Sequence, residues 1–433
     1  MKKKVMVLFM ALIMAASFTA CSGNSSQSGT TAAATQTEAK SSSSDLSKSN
    51  EDVKDKNTDT NVSSGQSSDS TDSDKSESTD EIFTKRDLTQ TADLTDAKTY
   101  TLSDNQNISI TSEGVYVIKG SAKNVTITVE AADDAKVQIV LDGAEITNES
   151  SPCIYVKNTD KVFVTTTKDT TNNLTVSGSF TPDGETNTDA VIFSKDDIVL
   201  NGEGTLNINS SDNGVTGKDD LKVTGGTINI TCKSDGLEAN DSVAIGGGTI
   251  TIKTDKDGVH VEDGDDDTTG WFYMNGGTLN ITAGDDGIHA TTTATIDDGK
   301  ITASSAEGIE ATYIKINGGT IDITASDDGI NAAKKSSAYT TPTVEFNGGS
   351  TTINMGQGDT DGVDSNGNLY INGGTITVNA QSPFDYDGTA EKNGGTIIVN
   401  GTETDTIQNQ MMGGGMRGGM GGQDGFQQNN RMR

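Results

Sequence analysis

Large apolar side chains are scarce in this chain. Aromatic residues make up 4% of 433 residues and hydrophobic residues of every kind 31%, too few to fill the thick core that one ordinary domain of this length would need. A repeat architecture needs only a thin core running along its axis, and that fits the composition. Positive charge is the second deficit. Lys and Arg number 31 against 63 Asp and Glu, for a net charge of −32, and no arginine occurs between Arg86 and Arg417. Such a surface repels phosphates, which argues against a nucleic-acid partner and for cations or cation-bridged ligands. An arginine base is excluded over the same stretch. Only 3 cysteines occur. Cys153 and Cys232 fall several repeats apart, beyond the roughly 7 Å between Cα atoms that a disulfide tolerates, and read as small core residues. No stretch has a convincing helical period, so the body is expected to be all-β.

The ends are of a different character. Lys2, Lys3 and Lys4 precede an apolar run, Val5 to Ala16, too short to span a bilayer as a mature helix. Phe18-Thr19-Ala20-Cys21 follows and resembles a bacterial lipobox, in which the cysteine is lipidated after cleavage before it. The expectation is an exported protein: a lipoprotein signal peptide over 1–20, lipidation at Cys21, and attachment to the outside of the bacterial cell membrane, touching it through the lipid anchor only. Residues 21–85 are Ser, Thr, Asp and Lys with almost no large apolar groups and read as a disordered linker, whereas 403–433, rich in Gly, Met and Gln, read as a disordered tail.

Between them, over 86–402, two motifs interleave. One is Asn-Gly-Gly-Thr-Ile, as at Gly318-Gly319-Thr320-Ile321 and Gly373-Gly374-Thr375-Ile376. The other is acid-Gly-aliphatic-polar-small, as at Asp257-Gly258-Val259-His260-Val261 and Glu307-Gly308-Ile309-Glu310-Ala311. Gly214, Gly236 and Gly258 are spaced by 22 residues, and Gly287, Gly308 and Gly329 by 21. Longer steps after Gly258 and Gly329 imply insertions at about 263–270 and 333–342, on one side of the molecule. A unit of this length holds three short strands and three turns, one coil of a right-handed, single-stranded parallel β-helix with about 22 residues per coil. A leucine-rich repeat is set aside because neither its Leu-x-x-Leu-x-Leu frame nor an Asn ladder is expected. The glycines are read as turn positions of positive φ, and Leu237, Val259, Ile288, Ile309, Ile330 and Val363 as an inward stack.

Stacked coils turn each motif position into a column at ~4.8 Å spacing. The residue before each glycine gives Asp235, Asp257, Asp286, Glu307, Asp328 and Asp361, and two positions after it stand Glu238, His260, His289, Glu310, Asn331 and Asp364. Neighbouring carboxylates at ~5 Å repel by roughly 3 kcal/mol at an effective dielectric of ~20. Cations between them would relieve this, and oxygen donors from two coils suit Ca²⁺. The expected metal ligands are Asp235, Glu238, Asp257, Asp286, Glu307, Glu310, Asp328, Asp361 and Asp364. Turn preference accounts for each Asp-Gly singly, but not for the second acid column. His260 and His289, with Glu238 and Glu310, could form a Zn²⁺-type site; a stacked pair capping the acids is the plainer reading.

In the strands before the Gly-Gly turns, Phe272, Met274, Ile314, Ile316, Leu369 and Ile371 read as inward. Trp271, Tyr273, Tyr313 and Tyr370 then point outward, either to stack on sugar rings or to be covered by the insertions.

This pattern over about 98–401, with the lipobox, the Ser-rich linker, the Gly/Met-rich tail and Ser150-Ser-Pro-Cys-Ile-Tyr155, resembles bacterial carbohydrate-binding lipoproteins with a pectate-lyase-like β-helix. The resemblance implies Ca²⁺ between coils and binding of plant-wall polysaccharide, including acidic pectin, with polygalacturonate or cellulose as candidates. The leading expectation is a non-catalytic, Ca²⁺-dependent carbohydrate-binding protein of the cell surface. One alternative is a Ca²⁺-dependent pectate lyase using a lysine base, for which Lys233, Lys253 and Lys256 lie nearest the acid columns. Their plainer reading is ordinary surface charge. The second alternative is a structural adhesin.

Overall fold

A computed structural model describes residues 82–357 and 360–409. The leader, Cys21, most of the linker and the tail from 410 lie outside the described residues. Among the described residues there is no helix, and the strands belong to one continuous sheet system.

Alternation of apolar and polar residues in runs of 3–6, broken by Gly, Asn and Asp, makes short strands that cannot bury a face alone. Each therefore pairs in parallel with its equivalent one coil earlier and one coil later. Thr205–Ser210, for example, lies between Thr171–Val176 and Thr227–Thr231. Three such stacks form the wall, with the strands after the acid-Gly, before the Gly-Gly and after the Gly-Gly positions following one another in every coil. The expected inward column forms as read. Val215, Leu237, Val259, Ile288, Ile309, Ile330 and Val363 are opposite one another in succession and fully buried. Phe384 continues the column at 1% exposure. At the C-terminal end, Thr402–Thr404 turns back antiparallel on Thr396–Val399, which covers part of an otherwise open edge.

Three sequence expectations need correction. First, the glycines are of two kinds. The second glycine of the Gly-Gly pair does take positive φ (Gly319, +80°). The acid-Gly glycines do not. There a Cβ would enter the neighbouring coil: on Gly308 it would sit 2.2 Å from the Gly329 carbonyl oxygen and 2.5 Å from Ile323 Cγ2. Those glycines answer to close approach of backbones. Second, Asn ladders are present. Asn317 donates to Asp297, Asn347 to Asn317, Asn372 to Asn347 and Asn393 to Asn372, at 2.7, 2.9, 2.8 and 2.9 Å. They run along the outside of the Gly-Gly turns, where an amide both donates and accepts between coils of equal height. Third, the ordered body begins before residue 86. Phe83 is buried against Gly246, and Ile82 accepts from Lys222 Nζ at 2.7 Å. Asp87 is fully buried beside Lys161 (3.5 Å) and Lys222 (3.8 Å). Gln90 bonds to Gly202 N and the Thr224 carbonyl. Ile82–Gln90 is thus a strap across the outer face of several coils.

Cys153 and Cys232 are free and buried, as expected. Burial pushes both thiols up, Cys232 to about 11. Thiolate is the reactive form, so alkylation with iodoacetamide is expected to leave both cysteines unmodified in the folded protein and to label both in denaturant. Peptide mass spectrometry reads this out; rapid native labelling of Cys153 would contradict its placement.

Candidate functional site

The winding brings the expected columns into register. Thr216, Glu238, His260, His289, Glu310, Asn331, Asp364 and Asp385 are opposite one another on consecutive coils. Asp286 opposes Glu307, and Asp328 opposes Asp361. The residues before glycine are also tied to one another through the main chain. Asp235 Oδ1 accepts from Asp257 N (3.2 Å), Asp257 Oδ1 from Asp286 N (2.9 Å) and Asp328 Oδ1 from Asp361 N (3.2 Å). A short carboxylate reaches the next coil's N–H, and this bonding to the charged form offsets part of the repulsion. Period counting does not reveal it.

The array then divides. Its N-terminal half carries its own cations. Glu238 is held by Asn213, Thr216 and Lys218 at 2.6, 2.7 and 3.2 Å. His260 Nδ1 lies 2.7 Å from Asp257, and His289 Nδ1 lies 3.0 Å from Asp286 and 2.9 Å from Glu310. Glu310 also takes Lys335 Nζ at 3.0 Å. Burial alone would lower the His289 imidazolium, but its bonds to Asp286 and Glu310 outweigh burial and hold it up to about 10. Burial raises a carboxyl, yet His289 and Lys335 keep Glu310 below the usual range.

The C-terminal half is built of oxygen donors. Asp364 is pushed up to about 7 by burial and by Asp328, Asp385, Asp361 and Asp387 around it. Burial, with Asp361, Asp327 and Asp385, lifts Asp328 to about 6. Glu307, between the halves, is raised to about 8 by burial and the neighbouring acids Glu310, Asp286 and Asp328, against one bond from Asn331 at 3.0 Å. Two buried oxygens here, Asn331 Oδ1 and Asp385 Oδ1, have no hydrogen-bond partner among the described residues. Orphaned buried acceptors among carboxylates that resist ionisation are what a hard cation with oxygen ligands would satisfy. The donors here are oxygen throughout, as Ca²⁺ requires; in the other half Asp257, Asp285 and Asp286 also bring carboxylate oxygens within 4.8 Å of one another, beside the histidines. Asp235, in the first half, is raised chiefly by burial.

Both insertions emerge at one corner, between the acid strands and the strands before the Gly-Gly turns. Thr312 Oγ1 accepts from Lys335 N and Ser336 N, at 3.0 and 2.9 Å. Asp267 of the first insertion accepts from the main chain and hydroxyl of Ser337 in the second, at 3.0 and 2.7 Å. The aromatics border this corner. Tyr313 lies on the same strand as Glu310, and Thr293 stands opposite it in the preceding coil. All four aromatics are half-buried. Tyr273 faces Phe83 of the strap (ring centroids 6.2 Å apart) and donates to Asp297. Tyr313 packs on Tyr339 of the second insertion (5.2 Å). Tyr273 and Tyr370 occupy a common column, with Thr295, Lys315 and Glu345 between them.

Sequence reasoning missed Lys218, Lys335, Asn331 as an acceptor, Tyr339 and Asp385. Asp385 was within reach, since it lies 21 residues after Asp364, one coil on. Lys335 was not, because an insertion has no period. Of the lysines first considered, Lys233 pairs with exposed Asp255 at 2.9 Å, and Lys253 and Lys256 are exposed.

Comparison with known proteins adds three findings. A family model described as "Carbohydrate-binding domain-containing protein" matches residues 104–362. A carbohydrate-binding domain-containing protein of Acetivibrio thermocellus is 34% identical over 123 residues, which is 28% of this chain and 43% of that protein. The match therefore spans less than half the length of that curated relative. The solved structure of a polysaccharide lyase-like protein from C. thermocellum, a gadolinium derivative, is 30% identical with a TM-score of 0.47, covering 52% of this chain and 96% of that one.

Proposed function

The chain belongs to the family of carbohydrate-binding domain-containing proteins, and on that premise we propose that it is a non-catalytic, Ca²⁺-dependent binder of acidic polysaccharide at the cell surface. The observation that carries the Ca²⁺ requirement is the oxygen-only cluster at Asn331, Asp364 and Asp385, with its orphaned buried acceptors and an Asp364 carboxyl held up to about 7. A protein of net charge −32 and a polyuronate repel each other. A Ca²⁺ ion sharing carboxylates from both reverses that sign. We read the coils as right-handed, the hand that parallel crossovers take. We read residues 1–20 as the leader, Cys21 as the lipid-bearing residue and the linker as the tether that holds the body outside the cell.

The lyase alternative receives little support. Of the lysines that touch the acid column, Lys335 is raised by its bond to Glu310 although burial opposes this. An ammonium so held is a poor general base, for which a lowered pKa is needed. The aromatics at the corner, Trp271 and Tyr370 above all, remain the surfaces on which sugar rings would stack.

Binding of the full chain to polygalacturonate, with Ca²⁺ and with chelator, tests the reading, with ultraviolet absorbance followed for unsaturated product. The expected result is retention in Ca²⁺, at least about tenfold weaker binding in chelator, and no product. Chelator-insensitive binding would remove the bridging mechanism, product would establish a lyase, and absence of any glycan binding would leave the adhesin.

A further inference from the structure

The chain has 2 histidines, and they stand on adjacent coils of one column with their rings 14° from parallel and 4.8 Å apart. Their surroundings are richer than a stacked pair requires. His289 Nδ1 is 3.0 Å from Asp286 Oδ2 and 2.9 Å from Glu310 Oε2. His260 Nδ1 is 2.7 Å from Asp257 Oδ2. Two donor sets, Asp257–His260–His289 and Asp286–His289–Glu310, each bring their ligand atoms within 4.8 Å of one another, and they share His289. Glu238, the partner the sequence suggested, is instead committed to Asn213, Thr216 and Lys218.

Nitrogen and oxygen donors 2.9–3.0 Å apart are what two ligands at ~2.0–2.1 Å from one small ion subtend at close to a right angle. Ca²⁺, at ~2.3–2.6 Å and with a demand for six to eight oxygens, does not use imidazole in this way. Asp286 and Glu310 are 7% and 6% exposed and sit on strands, so the donors are held in place before any ion arrives.

We propose that Asp286, His289 and Glu310 form a binding site for one divalent transition-metal ion of the Zn²⁺ class, flanked by His260 and Asp257 of the preceding coil, whose donor set overlaps it at His289. It is distinct from the oxygen-only cluster nearer the C-terminus and does not depend on that cluster binding Ca²⁺. On entry the ion takes the Nδ1 lone pair of His289 and the imidazolium proton leaves to solvent. Lys335 stays on the other oxygen of Glu310.

The test is calorimetric titration of Zn²⁺ into the full chain, without Ca²⁺ and with excess Ca²⁺ to fill all-oxygen sites, for the wild type, His289→Asn and His260→Asn. One such set of oxygens, from Asp257, Asp285 and Asp286, shares carboxylates with this site. Asparagine already occupies this column at position 331, two coils from His289, so the column accommodates the replacement. Loss even of a residue that only hydrogen-bonds to a ligand and holds it in place weakens metal sites about 10- to 100-fold. His289→Asn is therefore expected to weaken Zn²⁺ binding at least about a hundredfold and His260→Asn about tenfold, with the Ca²⁺ response unchanged in both. Co²⁺ added to the wild type should give a visible spectrum of nitrogen ligation. Equal Zn²⁺ affinity in wild type and His289→Asn, or a Co²⁺ spectrum no different from the free aquo ion, would overturn the site.

Discussion

Gly308→Ala is expected to destabilise the solenoid by about 3 kcal/mol, which lowers the thermal midpoint by about 5 °C. The cost does not come from φ. It comes from a methyl group placed 2.2 Å from the Gly329 carbonyl oxygen and 2.5 Å from Ile323 Cγ2, so the coil must move against a neighbour that is itself hydrogen-bonded. The same contact recurs up the column, with Gly236, Gly258 and Gly287 each facing a glycine carbonyl at 2.5–2.6 Å. A displaced coil therefore disturbs the next one. Gly143→Ala serves as the comparison. There the added Cβ meets nothing within 4 Å, and only its φ of +70° opposes the change, at about 1 kcal/mol. Circular-dichroism melts of the two variants decide the matter, and equal midpoints would refute the steric account.

In chelator, the midpoint is expected to fall as pH rises from about 5 to about 8, and Ca²⁺ is expected to offset the part of that fall that comes from the acid cluster. A carboxyl whose folded pKa lies above its unfolded value stabilises the fold only while protonated. That contribution is complete below about 4. It is lost as pH passes about 6 for Asp328, about 7 for Asp364 and about 8 for Glu307. His289, raised to about 10 from 6.5, adds a loss of the same sign that begins near its unfolded value. Ca²⁺ binds the ionised carboxylates and displaces their protons, so its stabilisation grows over the same range. At a thousand times its dissociation constant it would contribute about 4 kcal/mol. Asp364→Asn separates the acid cluster from the histidines. It is expected to flatten part of the decline in chelator and to lose most of the Ca²⁺ response. A midpoint in chelator that does not change with pH, or an undiminished Ca²⁺ response in Asp364→Asn, would count against the cluster as the ion's seat.

The columns were legible before any coordinates because a parallel coil converts sequence period into spatial register. Val259, Ile288 and Ile309 had to stack if the period was real, and the outward residues one position on had to stack with them. The aromatics were legible only as outward. That Tyr273 is faced by Phe83 and Tyr313 by Tyr339 depends on segments with no repeat, the strap and the second insertion. The Asn ladder was visible as Asn-Gly-Gly but was not read as one, because amide-to-amide bonding needs neighbouring coils at matched height as well as the residue type.

The sequence by itself determined the winding, the inward aliphatic stack and the alignment of acids, since a spacing of 21–22 residues leaves a parallel strand one register in which its apolar face stays buried. Only the tertiary structure decided which acids are neutralised. Lys335 reaches Glu310 from an insertion, whereas Asp364 meets further carboxylates. Charge balance in a column depends on what arrives from outside it, and loops without a period carry no register to read.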